Sequence, residues 1–393
     1  MTALSNKRAN LTLLALAISA FAIGSTEFIS VGLIPMLIQD FNITLSQAGL
    51  TVSLYAIGIV IGAPLLTLLT GTLNRRTLMI LTMTIFILGN IVTAFAPTFM
   101  ILLVGRFIAS LAHGLFMSVS SLIAAAVVPE HRRASAIAIM FTGLTVATVT
   151  GVPLGTFIGQ QTSWQWSFIF ITIIGLIGLI ANAFLIPKSL PIPGKADPKG
   201  LMRVLKQPAI RSVLLMTIFG YGAPFVVYTY LTPLLNTQMG WSMSAIVIIL
   251  VVYGIMVAIG NTLGGKWANN DTLTVLIRIL IGLVGVMAIL WLVQSMHWLG
   301  LVAVLLMGLF AFMTVPGLQL MVMDQANKLV PEDMTLAASL NISAFNIGIA
   351  SGSTIGGLVS SSIGLSATPL FSILMVLIAI GVGITLKKHL KDV

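Results

Sequence analysis

Three ionisable residues sit inside long apolar stretches of this 393-residue chain: Glu27, Arg106 and His113. An ionisable group in hydrocarbon costs about 2.5 kcal/mol or more on insertion scales, so such residues are retained for work or for pairing. Glu and His gain and lose protons, while Arg keeps its charge and biases its neighbours' proton affinity. Arg106 and His113 are seven apart, on one helix face, and Ser110 and Met117 continue that face as a semi-polar stripe. The chemistry these types could do together is reversible proton binding beside a fixed cation. A second reading is a static Glu27–Arg106 ion pair holding helices together, with His113 a neutral hydrogen-bond donor or a solute contact. Asp324 and Arg278 lie near the ends of apolar stretches, where a side chain can reach water. His131, His297 and His389 fall in connections or in the tail. With no Cys, no metal-ligand cluster and no Ser-His-Asp or paired-carboxylate pattern, neither a metal, a cofactor nor enzyme chemistry is expected.

The stretches that carry these residues define the class. The chain is 58% hydrophobic and 7% charged, with mean hydropathy +1.12. A soluble domain carries about a quarter charged residues, so this chain cannot cover a water-facing surface. A bilayer span needs about 20 apolar residues. Twelve stretches meet that length, near 10–38, 47–70, 77–95, 99–127, 134–158, 167–187, 208–236, 242–266, 274–293, 298–325, 334–360 and 368–386. None shows the alternation of a barrel strand, so each predicts a helix. The net charge of +10 comes from 19 Lys and Arg against 9 Asp and Glu. These bases cluster at alternate connections: Lys7 and Arg8, Arg75 and Arg76, Arg132 and Arg133, the stretch from Lys188 to Arg211, then Lys266, Arg278, Lys328 and the tail lysines. The connections between them near 39–46, 96–98, 159–166, 237–241, 294–297 and 361–367 hold no Lys or Arg. That asymmetry predicts both termini in the cytoplasm and makes the basic excess a topology signal, with no nucleic-acid partner. The first apolar run is too long for a cleaved signal peptide, and no A-x-A-like site follows it.

The chain reads as two halves, 1–187 and 208–393, joined by a Pro- and Lys-rich connection at 188–207. Leu33-Ile34-Pro35-Met36-Leu37 repeats as Leu231-Thr232-Pro233-Leu234-Leu235. Tyr55 and Gly62 repeat as Tyr253 and Gly260 at the same offset, and Val128-Pro129-Glu130 as Val330-Pro331-Glu332 at nearly that offset. Parallel six-span halves around a midplane cavity are a transporter architecture. At the same offset Phe225 is the counterpart of Glu27, with Tyr221 and Tyr228 on its helical face. That aromatic wall suits sugar rings, purines or planar drugs. Tyr55, Gln319, Asn341 and Asn346 are uncharged polar groups within spans, equally suited to contacting a solute or bridging helices. A multiply charged solute is disfavoured, because no second deep cation accompanies Arg106.

Thr26-Glu27-Phe28 with Gly32-Leu33-Ile34-Pro35, then Arg106 with His113-Gly114, then Gly151-Val152-Pro153-Leu154-Gly155 carry a family likeness. In these residues the chain resembles the major facilitator superfamily. More narrowly it is similar to the bacterial drug:proton antiporters, in the branch of sugar and arabinose efflux permeases. The resemblance covers essentially the whole chain. It implies an all-α membrane protein with twelve transmembrane helices in two pseudo-symmetric six-helix bundles. It further implies a bacterial inner-membrane exporter of sugars, nucleosides or drugs, monomeric and driven by the proton gradient through Glu27, Arg106 and His113. A proton-coupled uptake symporter on the same fold is the alternative. The Gly151–Gly155 segment looks like the family's antiporter motif, which implies a gating role for Gly151, Pro153 and Gly155; ordinary close packing is the other reading. One departure concerns the connection at Gly71-Thr72-Leu73-Asn74-Arg75-Arg76, which has Asn74 where the family has Asp. A charge-dependent latch is therefore not expected there, and Arg75 and Arg76 are left to bind helix carbonyls or to enforce topology.

Overall fold

The computed structural model describes residues 6–70, 73–129, 133–188, 190, 198–268 and 271–390. Gly71, Thr72, Glu130, His131, Arg132, Lys195 and Lys391, noted in the sequence, lie outside the described residues, as do Asn269 and Asn270. Every regular element among the described residues is helical, and 12 helices are long and apolar enough to cross a membrane. Helices satisfy their own backbone groups, which a bilayer core cannot do.

The first unit holds α1 (Asn6–Phe41), the part of α2 (Leu45–Thr70) from Leu54 onward, α3 (Arg75–Ala94), α4 (Phe99–Ala126), α5 and α6 (Trp164–Leu185). α5 runs as Arg133–Val146, a π turn at Ala147–Gly151, and Val152–Gln161. Asn74 caps α3 by accepting from the Thr77 amide at 2.9 Å, so the departure from the family's Asp still serves the helix start. Arg75 and Arg76 are the first residues of α3 and half-buried. Within this unit α1 packs on α5 and α6, and α3 on α4 and α6. Polar links cross these seams: Asn182 Nδ2 donates to Ser19 Oγ at 3.0 Å, and Thr12 Oγ1 to the Leu185 carbonyl at 2.8 Å.

The second unit holds the short α7 (Pro198–Lys206), α8 (in pieces from Pro208–Met216 to Leu234–Gln238), α9 (Met243–Trp267), α10 (Thr272–Val293), α11 (His297–Leu329), α12 (Met334–Ser362) and α13 (Thr368–His389). Here α8 packs on α12 and α13, and α10 on α11 and α13, which repeats the pairings of the first unit. The repeat extends to single contacts. Gly62 lies against the Leu111 backbone, and Gly260 against the Leu309 backbone, each partner 198 residues further on. At both places a Cβ would strike main chain, so only Gly permits the approach.

Two features differ from the sequence reading. The seventh apolar stretch is broken into Pro208–Met216, a π turn at Thr217–Tyr221, short pieces Phe225–Tyr228 and Leu231–Pro233, and a second π turn at Leu234–Gln238. Pro224 and Pro233 lack the amide hydrogen a continuous ladder needs. Secondly, the connection at 188–207 contains α7, which belongs to the second unit. Arg203 Nε and Nη2 bind Asp333 Oδ2 and Oδ1 at 2.7 and 2.9 Å, and Val204 is fully buried. By internal contacts Asn42–Ser53, at the start of α2, also groups with the second unit. There Ser353 Oγ donates to the Gly49 carbonyl at 3.1 Å.

Candidate functional site

Arg106 is fully buried in the first unit, about two turns into α4. Its guanidinium donates through Nη1 to the Thr26 carbonyl at 2.6 Å and through Nη2 to the Glu27 carbonyl at 3.2 Å. Its Cζ also lies 4.2 Å from the ring centroid of Tyr55 and 5.9 Å from that of Phe168. Two hydrogen bonds from a charged donor are worth about 1.5–3 kcal/mol each, and a desolvated cation–π contact about 2. Together these match the several kcal/mol that burying an ion costs. α4 thus grips the main chain of α1 at the residue that carries the carboxyl group.

Tyr55 and His113 complete the cluster. Tyr55 is 1% exposed, and its hydroxyl lies 3.3 Å from His113 Nδ1. His113 is itself buried. Either partner can supply the proton of that bond, according to the imidazole tautomer. Glu27 is half-buried, unlike the other three, and feels the charge of Arg106. The structure therefore brings Glu27, Arg106 and His113 into one cluster of the first unit and adds Tyr55, which the sequence had left open between solute contact and helix bridging. Phe168 was not singled out from sequence, and Thr26, named there only for the family likeness, donates to Asn90 Oδ1 at 3.3 Å. Among the described residues no group of three or more His, Asp or Glu is placed to hold a metal.

The second unit keeps the aromatic member and lacks the charges. The positions 198 residues beyond Glu27, Tyr55, Arg106 and His113 hold Phe225, Tyr253, Val304 and Ala311. Tyr253 stacks on Tyr228, centroids 5.1 Å apart. Phe225 meets Tyr228 at 5.5 Å and Tyr221 at 5.3 Å, and Tyr221 also touches Phe312 and Phe345. Tyr221, Phe225 and Tyr228 thus lie in one buried aromatic cluster, which Tyr253, Phe312 and Phe345 enlarge. Tyr253 was signalled only by the internal repeat.

The amides divide. Asn341 is fully buried, accepts from Thr217 Oγ1 at 2.7 Å and donates to Gln319 Oε1 at 2.9 Å, so this pair bridges α8, α11 and α12. Asn346 gives its Nδ2 to the Ile342 carbonyl, while its buried Oδ1 has no hydrogen-bond partner among the described residues. Gly151 and Gly155 face α1: a Cβ on Gly151 would strike Ser25, and one on Gly155 would strike the end of Ile29. Gly143 and Gly159 meet Ala17 and Leu33 along the same seam. Pro153 occupies the first turn after the π turn, where its missing amide hydrogen costs little. The motif thus closes α5 onto the helix that bears Glu27.

The chain matches the Major Facilitator Superfamily model over residues 16–329. It is 47% identical over 376 residues to the uncharacterized MFS-type transporter YtbD of Bacillus subtilis, covering 96% of this chain and 95% of that one. It is 38% identical to the inner membrane transport protein YdhP of Escherichia coli K12, covering 92% of each chain. Among solved structures, a bacterial homolog of the human lysosomal transporter Spinster, inward-facing and unoccupied, gives a TM-score of 0.80 at 17% identity over 99% of both chains. A D-xylose-proton symporter gives 0.74 at 14% identity over 94% of this chain and 96% of that one. At such identities the structural likeness speaks to fold alone. Twelve apolar helices in two like-built units, with a family match over most of the length, make this chain a member of the major facilitator superfamily, a membrane transport protein.

Proposed function

We propose that the chain is a proton-driven exporter of small neutral or amphipathic solutes, such as sugars, nucleosides or drugs, in the bacterial inner membrane. One observation carries the reading: a half-buried carboxyl group, Glu27, beside a buried guanidinium that is held by main-chain oxygens. Protonation of Glu27 removes its negative charge while Arg106 stays where it is. The cluster then carries one more positive charge, and the balance between two conformers shifts by the difference in how each accommodates it. Tyr55 and His113 extend the cluster as a hydrogen-bonded pair able to relay or hold a proton.

The aromatic group of the second unit supports a ring-bearing solute, and the unpartnered Oδ1 of Asn346 offers it an acceptor. The Gly151–Gly155 segment, by its likeness to the antiporter motif, supports export over uptake. Basic residues at alternate connections support cytoplasmic termini. The name of the E. coli relative supports the inner membrane. Proteoliposomes with an imposed pH gradient test the reading, with L-arabinose, uridine and ethidium as probes of three solute classes. Wild-type protein should drive one class uphill against the direction of proton flow, and Glu27→Gln should only equilibrate it. Uphill movement by Glu27→Gln would sink the reading, and uphill movement along the proton flow would make the protein a symporter.

A further inference from the structure

A cleft of about 320 Å³ opens in the second unit where the start of α10 meets the ends of α11 and α13. None of its lining residues belongs to the aromatic group or to the Glu27 cluster. α11 contributes Met321, Asp324, Gln325 and Lys328, spaced by three and four so that they share one face. Asp271, which caps α10 through the Thr274 amide at 3.3 Å, and Lys387 from the end of α13 complete the wall. Hydrogen bonds from Thr274, helped by Lys387 and Arg278, hold the Asp271 carboxyl below the usual carboxylate range, so it is ionised at neutral pH.

Two observations distinguish this cleft from an ordinary charged surface. Gln325 is 4% exposed, lines the cleft, and makes no hydrogen bond among the described residues. Its amide therefore faces the cleft without a protein partner among those residues, open to a ligand's polar groups. Moreover, Asp324 and Lys328 are exposed and form no ion pair among the described residues, while the Lys387 ammonium is drawn to Thr274 Oγ1. The cleft therefore presents two carboxylates and two ammonium groups, with an idle amide between them. A simple anion would meet the aspartates, and a simple cation would meet the lysines. The complementary ligand carries both signs.

We propose that this cleft binds a small zwitterion of the ammonium-ethyl-phosphate type. Lys328 and Lys387 take the phosphate, Asp271 and Asp324 take the primary ammonium by N–H donation, and Gln325 satisfies its amide on either group. The volume sits at the small end of ligand pockets, which suits a head group or a free metabolite of that size. The same chemistry is offered by free phosphoethanolamine and by a phosphatidylethanolamine head group.

Purified full-length protein in nanodiscs of phosphatidylcholine is titrated with O-phosphoethanolamine, and binding is read by calorimetry. Saturable binding is expected, weakened at least tenfold in Asp324→Asn and in Lys328→Gln, both exposed positions whose replacement leaves helix content unchanged. Phosphocholine, whose quaternary ammonium donates no N–H, should bind at least tenfold more weakly, as should inorganic phosphate and ethanolamine alone. A second arm compares hydrogen exchange of residues 321–328 in discs with and without phosphatidylethanolamine. Protection by that lipid, lost in the two variants, would assign the site to a lipid head group even where the free compound fails to bind. Absence of both effects, equal binding of phosphate alone, or unchanged binding in both variants overturns the proposal. The Glu27→Gln transport experiment is independent of all these outcomes.

Discussion

Glu27→Gln separates two accounts of the buried cluster, because the side chain keeps its length and shape and loses only its charge. Arg106 is held by the carbonyls of Thr26 and Glu27 and by the ring of Tyr55, none of which the substitution touches. The variant should therefore unfold within about 1 kcal/mol of the wild type, the range of a substitution that creates no cavity and strands no partner. If the carboxylate instead were what holds Arg106, its loss would strand a buried charge and cost about 3–5 kcal/mol. Unfolding of the purified protein, followed by intrinsic fluorescence, distinguishes the two. Transport should respond quite differently. One pH unit is worth about 1.4 kcal/mol per proton, so exchange of one proton for one neutral solute sustains at most about a tenfold gradient. The variant should sustain none, while still exchanging labelled for unlabelled solute. A loss of 3 kcal/mol or more in stability would refute the main-chain clasp, and a retained tenfold gradient would refute the role given to Glu27.

Three further outcomes follow from the same geometry. Tyr55→Phe should cost about 1 kcal/mol, one hydrogen bond, while Tyr55→Leu should cost about 2 more by removing the ring beneath Arg106; unfolding measurements read both. Gly143→Ala should destabilise by about 1–3 kcal/mol, because its Cβ meets the Ala17 carbonyl, whereas Gly155→Ala meets only the movable end of Ile29 and should cost less than half as much. Asp333, hydrogen-bonded to Arg203, has its carboxyl held below the usual range. Its contribution to docking α7 is present above the unfolded carboxyl value of about 3.9 and is lost as pH falls through the lower folded value. Protection factors of residues 201–205, corrected for the pH dependence of intrinsic exchange, should fall on that acidification, and Arg203→Gln should reproduce the loss at neutral pH.

The twelve helices and their pairing into like halves were legible because hydrocarbon imposes length and composition on every span, and the repeat surfaced as Tyr55 with Tyr253 and Gly62 with Gly260. Glu27, Arg106 and His113 stood out for the same reason, as ionisable letters in apolar runs. What held Arg106 was not legible, since main-chain oxygens carry no letter and any residue at 26 or 27 would offer the same acceptors. Tyr55 stayed open between solute contact and helix bridging because its partner His113 is 58 residues away, and a phenol in a span reads alike in either role. Asn341 was ambiguous in the same way until Thr217 and Gln319 appeared on either side of it. The break in α8 depended on two prolines whose effect within a span is decided by neighbouring helices. The docking of α7 depended on Arg203 meeting Asp333, two surface letters 130 residues apart.

The paired glycine contacts, Gly62 on Leu111 and Gly260 on Leu309, have a use for protein engineering. They mark positions where framework and chemistry come apart: the backbone approach is duplicated, while the ionisable trio occurs once. The second copy is in effect a vacant socket with its tyrosine already installed. Building Phe225→Glu, Val304→Arg and Ala311→His into it, with the glycines left alone, would ask whether the framework is enough to host the chemistry or whether the carbonyls of α1 are also needed. Because α8 is interrupted at Gly222–Pro224 where α1 is continuous, the socket offers its graft a differently directed set of main-chain oxygens, and that difference is the variable such a transplant would measure.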